Sequence, residues 1–184
     1  MKNKDYLLFD LDGTLTDPKE GITKAVQYAL KHYGIQVDDL DSLCPFIGPP
    51  LKDSFQKYYD FSEQQAKEAI QVYREYFSVT GWSQNKVFPG IPEMLGELKA
   101  AGKKLYLATS KPEVFAKQIL EHFDLASYFE FVGGADLEET RVGKGDVIQY
   151  VSDTCGLSDK KEKILMIGDR EHDVLGAREQ GLEC

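Results

Sequence analysis

Phe9-Asp10-Leu11-Asp12-Gly13-Thr14-Leu15-Thr16-Asp17 closes the apolar run Tyr6-Leu7-Leu8-Phe9, which is short enough for a buried strand. Two carboxylates then stand at i and i+2. In extended chain these positions point to the same side, with Cα atoms ~6.6 Å apart at ~3.3 Å rise per residue. That gap suits one phosphoryl group between a nucleophile and a proton donor. Gly13 lets the chain turn and present its amides where a bulkier residue would strain. Two carboxylates crowded at the end of an apolar strand are costly unless a cation or a proton compensates them. Taken alone, the same residues also suit a strand running out into an acidic surface loop.

Helical spacing follows, with Ile22, Ala25, Val26, Ala29, Leu30 and Tyr33 recurring at three and four residues and ending at Gly34. Pro45, Gly48, Pro49 and Pro50 mark a loop from Leu43 to Pro50, and Leu51 to Tyr59 can form a short helix. Ser62 opens another helix, with Gln65 completing a capping box and a stripe of Ala66, Ala69, Ile70, Tyr73, Tyr76 and Phe77. Residues 16–85 therefore read as helices joined by loops.

Beyond them the periodicity reverts to alternation. Ile91 to Ala101 reads as a helix and Leu105 to Ala108 as a buried strand. Pro112 opens a helix at its favoured first position, carrying Val114, Phe115, Ile119 and Leu120 inward. Tyr128 to Val132 reads as a strand ending at Gly133-Gly134, Lys144 to Cys155 as a helix, Ile164 to Ile167 as a strand. A last helix runs from Arg170 to Gln180, with Gly181 as its cap. Strands alternating with helices predict an α/β fold, a parallel sheet covered on both faces. The expected organisation is a core of residues 1–15 and 86–184 with an all-helical cap of residues 16–85 inserted after the first strand. Ligands of such sheets bind beyond the carboxyl ends of the strands, where a cap could overhang them.

Three further strand ends carry polar groups. Thr109-Ser110-Lys111 ends the second strand, where a hydroxyl and helix-terminal amides suit an anion; an ordinary helix cap before Pro112 is the plainer reading of these residues alone. Thr140-Arg141-Val142-Gly143 leads to Lys144, a lysine set against the dipole at a helix start, which makes sense with an anion in front of it; a solvated lysine is the plainer alternative. Gly168-Asp169-Arg170-Glu171-His172-Asp173 ends the fourth strand, with Asp173 one helical turn after Asp169. Oxygen ligands of this kind suit Mg²⁺, although acidic residues also favour helix starts without any ion.

Composition narrows the function classes. The 184 residues can hold one good core, or one domain with a sizeable insertion, and 42% hydrophobic against 29% charged residues places the chain in the globular range, away from disorder. The net charge of −9 argues against nucleic-acid or anionic-membrane partners. Cys44, Cys155 and Cys184 have no metal-type spacing. Charge begins at Lys2 and Lys4 and no stretch approaches the ~20 apolar residues of a membrane span, so the expectation is a cytoplasmic protein.

Asp10-Leu11-Asp12-Gly13-Thr14, Thr109, Lys144 and Gly168-Asp169-(three residues)-Asp173 resemble the four motifs of the haloacid dehalogenase-like hydrolases, whose Rossmann-like three-layer core the element order also matches. Phe46-Ile47-Gly48-Pro49-Pro50-Leu51, Thr109-Ser110-Lys111-Pro112 and Thr140-Arg141-(two residues)-Lys144 are similar to the phosphoglycolate phosphatase-like branch. The resemblance implies a Mg²⁺-dependent phosphatase working through an aspartyl-phosphate. Asp10 would be the nucleophile and Asp12 the acid and base. Thr109 and Lys144, with Gly13, Thr14 and Ser110, would hold the phosphoryl group. Asp10, the carbonyl of Asp12, Asp169 and Asp173 would ligate the metal. Gly48 and Pro49 would reach the leaving group, which the cap selects. The implied partner is a small phosphorylated metabolite (phosphoglycolate-like, or a nucleotide or sugar phosphate), the implied state a monomer or weak homodimer. Relatives usually continue past the fourth motif with another strand, which Leu182 to Cys184 would begin.

Asp12 argues against a dehalogenase, which lacks the second aspartate. A phosphonate hydrolase would need a cap lysine, for which Lys52 is the candidate. A receiver-like signalling module also gathers carboxylates, Mg²⁺, a hydroxyl and a lysine, but carries its acceptor on a middle strand and has no such insertion. Eight aromatic residues between Phe55 and Trp82 are expected to pack the helices, with stacking on a substrate as the alternative for Tyr58, Tyr59 and Trp82. No role is assigned to Arg141 or His172.

Overall fold

The computed structural model describes residues 3–137 and 140–184. Residues 1–2 and 138–139, within the expected core span, lie outside the described residues. The chain divides into two compact units, Met1–Thr16 with Val87–Cys184, and Asp17–Lys86.

The first unit is built on a four-stranded sheet of β1 (Tyr6–Phe9), β4 (Lys104–Pro112), β5 (Phe131–Ala135) and β6 (Ile164–Ile167), in the order β5-β4-β1-β6. Every pair is parallel. The two-residue strands β2 (Thr16–Asp17) and β3 (Lys86–Val87), where the chain passes between the units, form a separate sheet. β1 is central and buried, so it is apolar on both faces. Leu8 joins Tyr106, Ala108, Ile164 and Met166 in a cluster with Val147, Ile148 and Val151 of α6 (Lys144–Thr154) and Ala177 of α7 (Glu171–Glu179). Leu7 and Phe9 alternate to the opposite face. The helices α4 (Ile91–Ala100) and α5 (Glu113–His122) pack on β4, and α5 also on β5. The result is a parallel sheet with helices, an α/β fold.

Register sets the next step. Phe9 is level with Leu107 on one side and Ile167 on the other. The residues that follow, Asp10, Ala108 and Gly168, therefore emerge at one rim of the sheet.

Two strand ends differ from expectation. β4 runs three residues past Thr109, so Thr109, Ser110 and Lys111 are extended rather than lodged at a helix start, and Pro112 is the cap of α5 rather than its first residue. Proline disfavours helical backbone in the residue before it, which keeps Lys111 out of the helix. Pairing with β5 shifts register between Thr109 and Pro112. β5 begins at Phe131, not Tyr128, and includes both glycines. A Cβ on Gly133 would stand 2.3 Å from Val151, and one on Gly134 2.6 Å from the carbonyl of Lys111. β5 thus comes close to its neighbours only because Gly133 and Gly134 carry no side chain. At the chain terminus, the amide of Met166 donates to the carbonyl of Glu183 at 2.9 Å, a parallel bridge beside β6.

The second unit contains α1 (Lys19–His32), a 3-10 segment over Leu40–Phe46, α2 (Leu51–Tyr59) and α3 (Glu63–Tyr76), continued by a π-helical turn over Phe77–Gly81. The 3-10 segment occupies part of the stretch expected as loop. Ser62 and Gln65 form the capping box of α3. Phe46, Phe55, Phe61 and Tyr33 meet at ring separations of 4.8–5.7 Å, and α1 and α2 both pack against α3. The aromatic residues there are chiefly core.

Candidate active site

Asp10 follows β1 directly, and its amide donates to the carbonyl of Ile167 at 2.9 Å. The chain then tightens. The amides of Thr14, Leu15 and Thr16 all turn back to the carbonyl of Leu11. Gly13 adopts φ +88°, and a Cβ there would lie 2.4 Å from the carboxylate of Asp169. Only glycine both takes this conformation without strain and admits that carboxylate.

Each carboxylate of the opening pair has its own cation. Lys144, brought to the site as the first residue of α6, places Nζ 2.7 Å from Asp10 Oδ1 and 3.1 Å from the carbonyl of Ala108. It also stands 2.9 Å from Asp173 Oδ1, an ion pair whose direction does not make a hydrogen bond. The anion expected in front of this lysine is thus a pair of carboxylates. Burial works against the charge of Lys144, but Asp10 and Asp173 outweigh it and raise the pKa. Gly176 of α7 is what lets α6 come this near, since a Cβ there would stand 2.7 Å from the amide of Gly145 and 2.8 Å from the Lys144 side chain.

Lys111 is the cation of Asp12, with Nζ 2.6 Å from Oδ2. The side chains are 5% and 11% exposed, so the pair is screened little by solvent. Burial nevertheless dominates, and the Asp12 carboxyl is pushed above its ordinary value despite Lys111. Asp12 Oδ1 is buried without a hydrogen-bond partner. Sequence reasoning gave Lys111 no role. A signal was present: it lies two residues after Thr109 in extended chain, and so on the same side.

Thr109 is buried, and its hydroxyl oxygen accepts from the amide of Lys111 at 3.3 Å, leaving its proton to be donated elsewhere. Ser110 is half-buried beside it. The hydroxyl of Thr14 donates to Asp169 Oδ1 at 3.1 Å, so Thr14 orients that carboxylate. Arg170 Nε lies 3.2 Å from Asp169 Oδ2. Asp173 is buried, and its Oδ2 accepts from the amide of Arg170 at 3.0 Å, capping α7.

One oxygen from each of Asp10, Asp169 and Asp173 can be chosen so that all three lie within 4.8 Å of one another. Three hard oxygen donors of like charge in so small a space fit Mg²⁺. A Cβ on Gly168 would stand 2.2 Å from the Asp173 carboxylate, so glycine keeps this gathering open, as Gly13 does beside Asp169. The Asp12 side chain is outside it and belongs to Lys111.

The remaining candidates fall elsewhere. Gly48 and Pro49 lie in the helical unit, half-buried between the 3-10 segment and α2. Lys52 pairs with Glu63 at 2.9 Å in that unit. His172 is exposed on α7. Arg141 braces the segment between β5 and α6, donating to the carbonyl of Gly134 at 2.9 Å and lying 3.7 Å from the ring centre of Tyr150.

Residues 7–184 match the family described as haloacid dehalogenase-like hydrolase. The chain belongs to that family. It is 51% identical over 178 residues to a 5'-nucleotidase of Pseudomonas aeruginosa, covering 97% of this chain and 80% of the relative. It is 38% identical to the tyrosine-protein kinase PtkA of Mycobacterium tuberculosis over 99% of this chain and 61% of that protein. To a phosphoglycolate phosphatase of Aquifex aeolicus it is 30% identical, over 95% and 80%. Among solved structures, a predicted phosphatase from Clostridium acetobutylicum superposes with a TM-score of 0.94 at 52% identity, covering 97% of this chain and 82% of that one. No helix among the described residues is long and apolar enough to cross a membrane.

Proposed function

We propose that this haloacid dehalogenase-like hydrolase is a phosphatase that hydrolyses a small phosphate monoester through an aspartyl-phosphate on Asp10, with Mg²⁺ as cofactor. The observation that carries the reading is the different setting of the two first carboxylates. Asp10 is held by a lysine that also meets a third carboxylate, whereas Asp12 sits buried with its pKa raised and one oxygen unbonded.

Asp10 attacks phosphorus, the bond from phosphorus to the leaving oxygen breaks, and that oxygen takes its electron pair together with the proton of Asp12. Water then attacks the aspartyl-phosphate. Asp12 takes a proton from it, the bond from phosphorus to Asp10 breaks, and phosphate leaves with both carboxyls restored. Covalent catalysis splits one difficult displacement in two. Lys144 and the hydroxyl of Thr109, with amides after Asp10 and Ser110 beside them, hold the oxygens on which charge builds. Asp10, Asp169 and the Asp12 carbonyl would hold the ion, with Asp173 directly or through water. Bound there, Mg²⁺ supplies positive charge to the phosphoryl oxygens. The helical unit is the proposed source of selectivity for the leaving group, with Gly48 and Pro49 as its candidate residues. The nucleotidase and phosphoglycolate phosphatase relatives make nucleoside monophosphates and phosphoglycolate the first substrates to try.

The test is steady-state turnover of p-nitrophenyl phosphate and a panel of nucleotide, sugar and glycolate phosphates with Mg²⁺. Wild-type protein is expected to turn over repeatedly, and Asp10→Asn to lose at least about 10³-fold. A stoichiometric burst without turnover would overturn the reading and favour a phospho-acceptor module.

A further inference from the structure

We propose that Lys111 is a positioning residue that commits one oxygen of Asp12, Oδ1, to proton transfer at the leaving group. The proposal rests on the phosphatase reading and goes beyond it by assigning which oxygen acts and what selects it.

Lys111 and Asp12 are 99 residues apart in the chain and meet at 2.6 Å. β4 slips its pairing with β5 between Thr109 and Pro112. Within that slip the amide of Lys111 turns to the Thr109 hydroxyl, and its side chain is buried. An ammonium group donates and cannot accept. The oxygen facing it, Oδ2, must therefore be the acceptor, and a proton on the Asp12 carboxyl has only Oδ1 to occupy. That oxygen is buried with no hydrogen-bond partner, an exception to the rule that buried polar atoms are satisfied. A substrate oxygen at Oδ1 would complete it. The contact also stops the carboxyl from rotating, so the proton is presented in one direction and collected again in the same place.

Lys144 cannot share this task. Its ammonium is held among Asp10, Asp173 and the carbonyl of Ala108. Lys144 and Lys111 thus separate, one on the nucleophile and one on the proton carrier.

The test uses the dependence on the leaving group. p-Nitrophenolate departs without a proton, whereas an alkoxide needs one. Because kcat/KM reports the steps up to departure of the leaving group, it isolates the acid function of Asp12. Lys111→Met is expected to lower kcat/KM for an alkyl phosphate about 10²-fold more than for p-nitrophenyl phosphate, and Lys111→Arg, which keeps a donor, to restore most of the difference. If Lys111→Met melts below the assay temperature, Lys111→Gln against Lys111→Arg makes the same comparison. An equal fall on both esters, as from a structural or phosphate-holding role, would overturn the proposal. Absence of turnover by wild-type protein, or full activity in Asp10→Asn, would instead defeat the phosphatase reading and this proposal with it.

Discussion

Lys144 is at once the most buried cation of the site and the counter-charge to two carboxylates. At the scale of the residue its worth is set by what its removal would leave behind. Asp10 and Asp173 would then face each other, buried and uncompensated, and breaking a buried pair in this way costs about 3–5 kcal/mol. Lys144→Met is expected to lower the thermal midpoint sharply in metal-free buffer, by roughly 2–4 °C for each kcal/mol lost. Differential scanning calorimetry of the two proteins checks it. An unchanged midpoint would show that the three groups do not depend on one another. The residue types of this cluster were legible in the sequence, because carboxylates and a lysine next to apolar strands need explanation. The pairing of Asp12 with Lys111 was not, since nothing in a linear chain says which of two lysines meets which of two aspartates.

Elements follow local rules until the tertiary structure outbids them. The capping box of α3 is local, and Ser62 with Gln65 announces it. Beside it Glu63 accepts from Lys52 at 2.9 Å and pairs with Lys67 at 3.1 Å. These two bonds pull its carboxyl down to about 2. Because the folded value lies below the unfolded one, the stabilisation is complete above the unfolded pKa of 4.5 and disappears as the pH falls towards 2. The group is exposed, so the effect is small and weakened by salt. Glu63→Gln is expected to unfold slightly earlier than wild type in urea near neutral pH and to match it once the pH falls to about 2. A gap that widened on acidification would contradict this assignment. β4 and β5 show the opposite case. β4 ends at Pro112 rather than Ala108, and β5 spans Phe131–Ala135 rather than Tyr128 to Val132, because strand length there is set by pairing across the sheet and by the bareness of Gly133 and Gly134, not by their own propensities.

For the whole molecule the metal is the natural probe. Three carboxylates gathered at one rim repel one another, and an ion bound to them stabilises the folded state alone. Chelation is expected to abolish turnover and Mg²⁺ to restore it, while Mg²⁺ at a hundred times its dissociation constant stabilises the protein by about 2.7 kcal/mol. Titration calorimetry and thermal melts with and without Mg²⁺ measure both parts. Asp169→Asn should weaken the binding, and undiminished affinity would remove Asp169 from the metal set. The sequence by itself determined the alternation of strands and helices, the parallel sheet and the polar residues at its strand ends, because burial and periodicity are written in the order of side chains. The family resemblance already implied that Asp10, Asp169 and Asp173 gather; only the tertiary structure decided that the Asp12 side chain turns to Lys111. Partnership among groups far apart in the chain, as Thr14 and Asp169 are at 155 residues, depends on strand register and on the few glycines that let backbones close. The opening pair of aspartates is one motif in the chain, and in the fold each member has its own lysine partner.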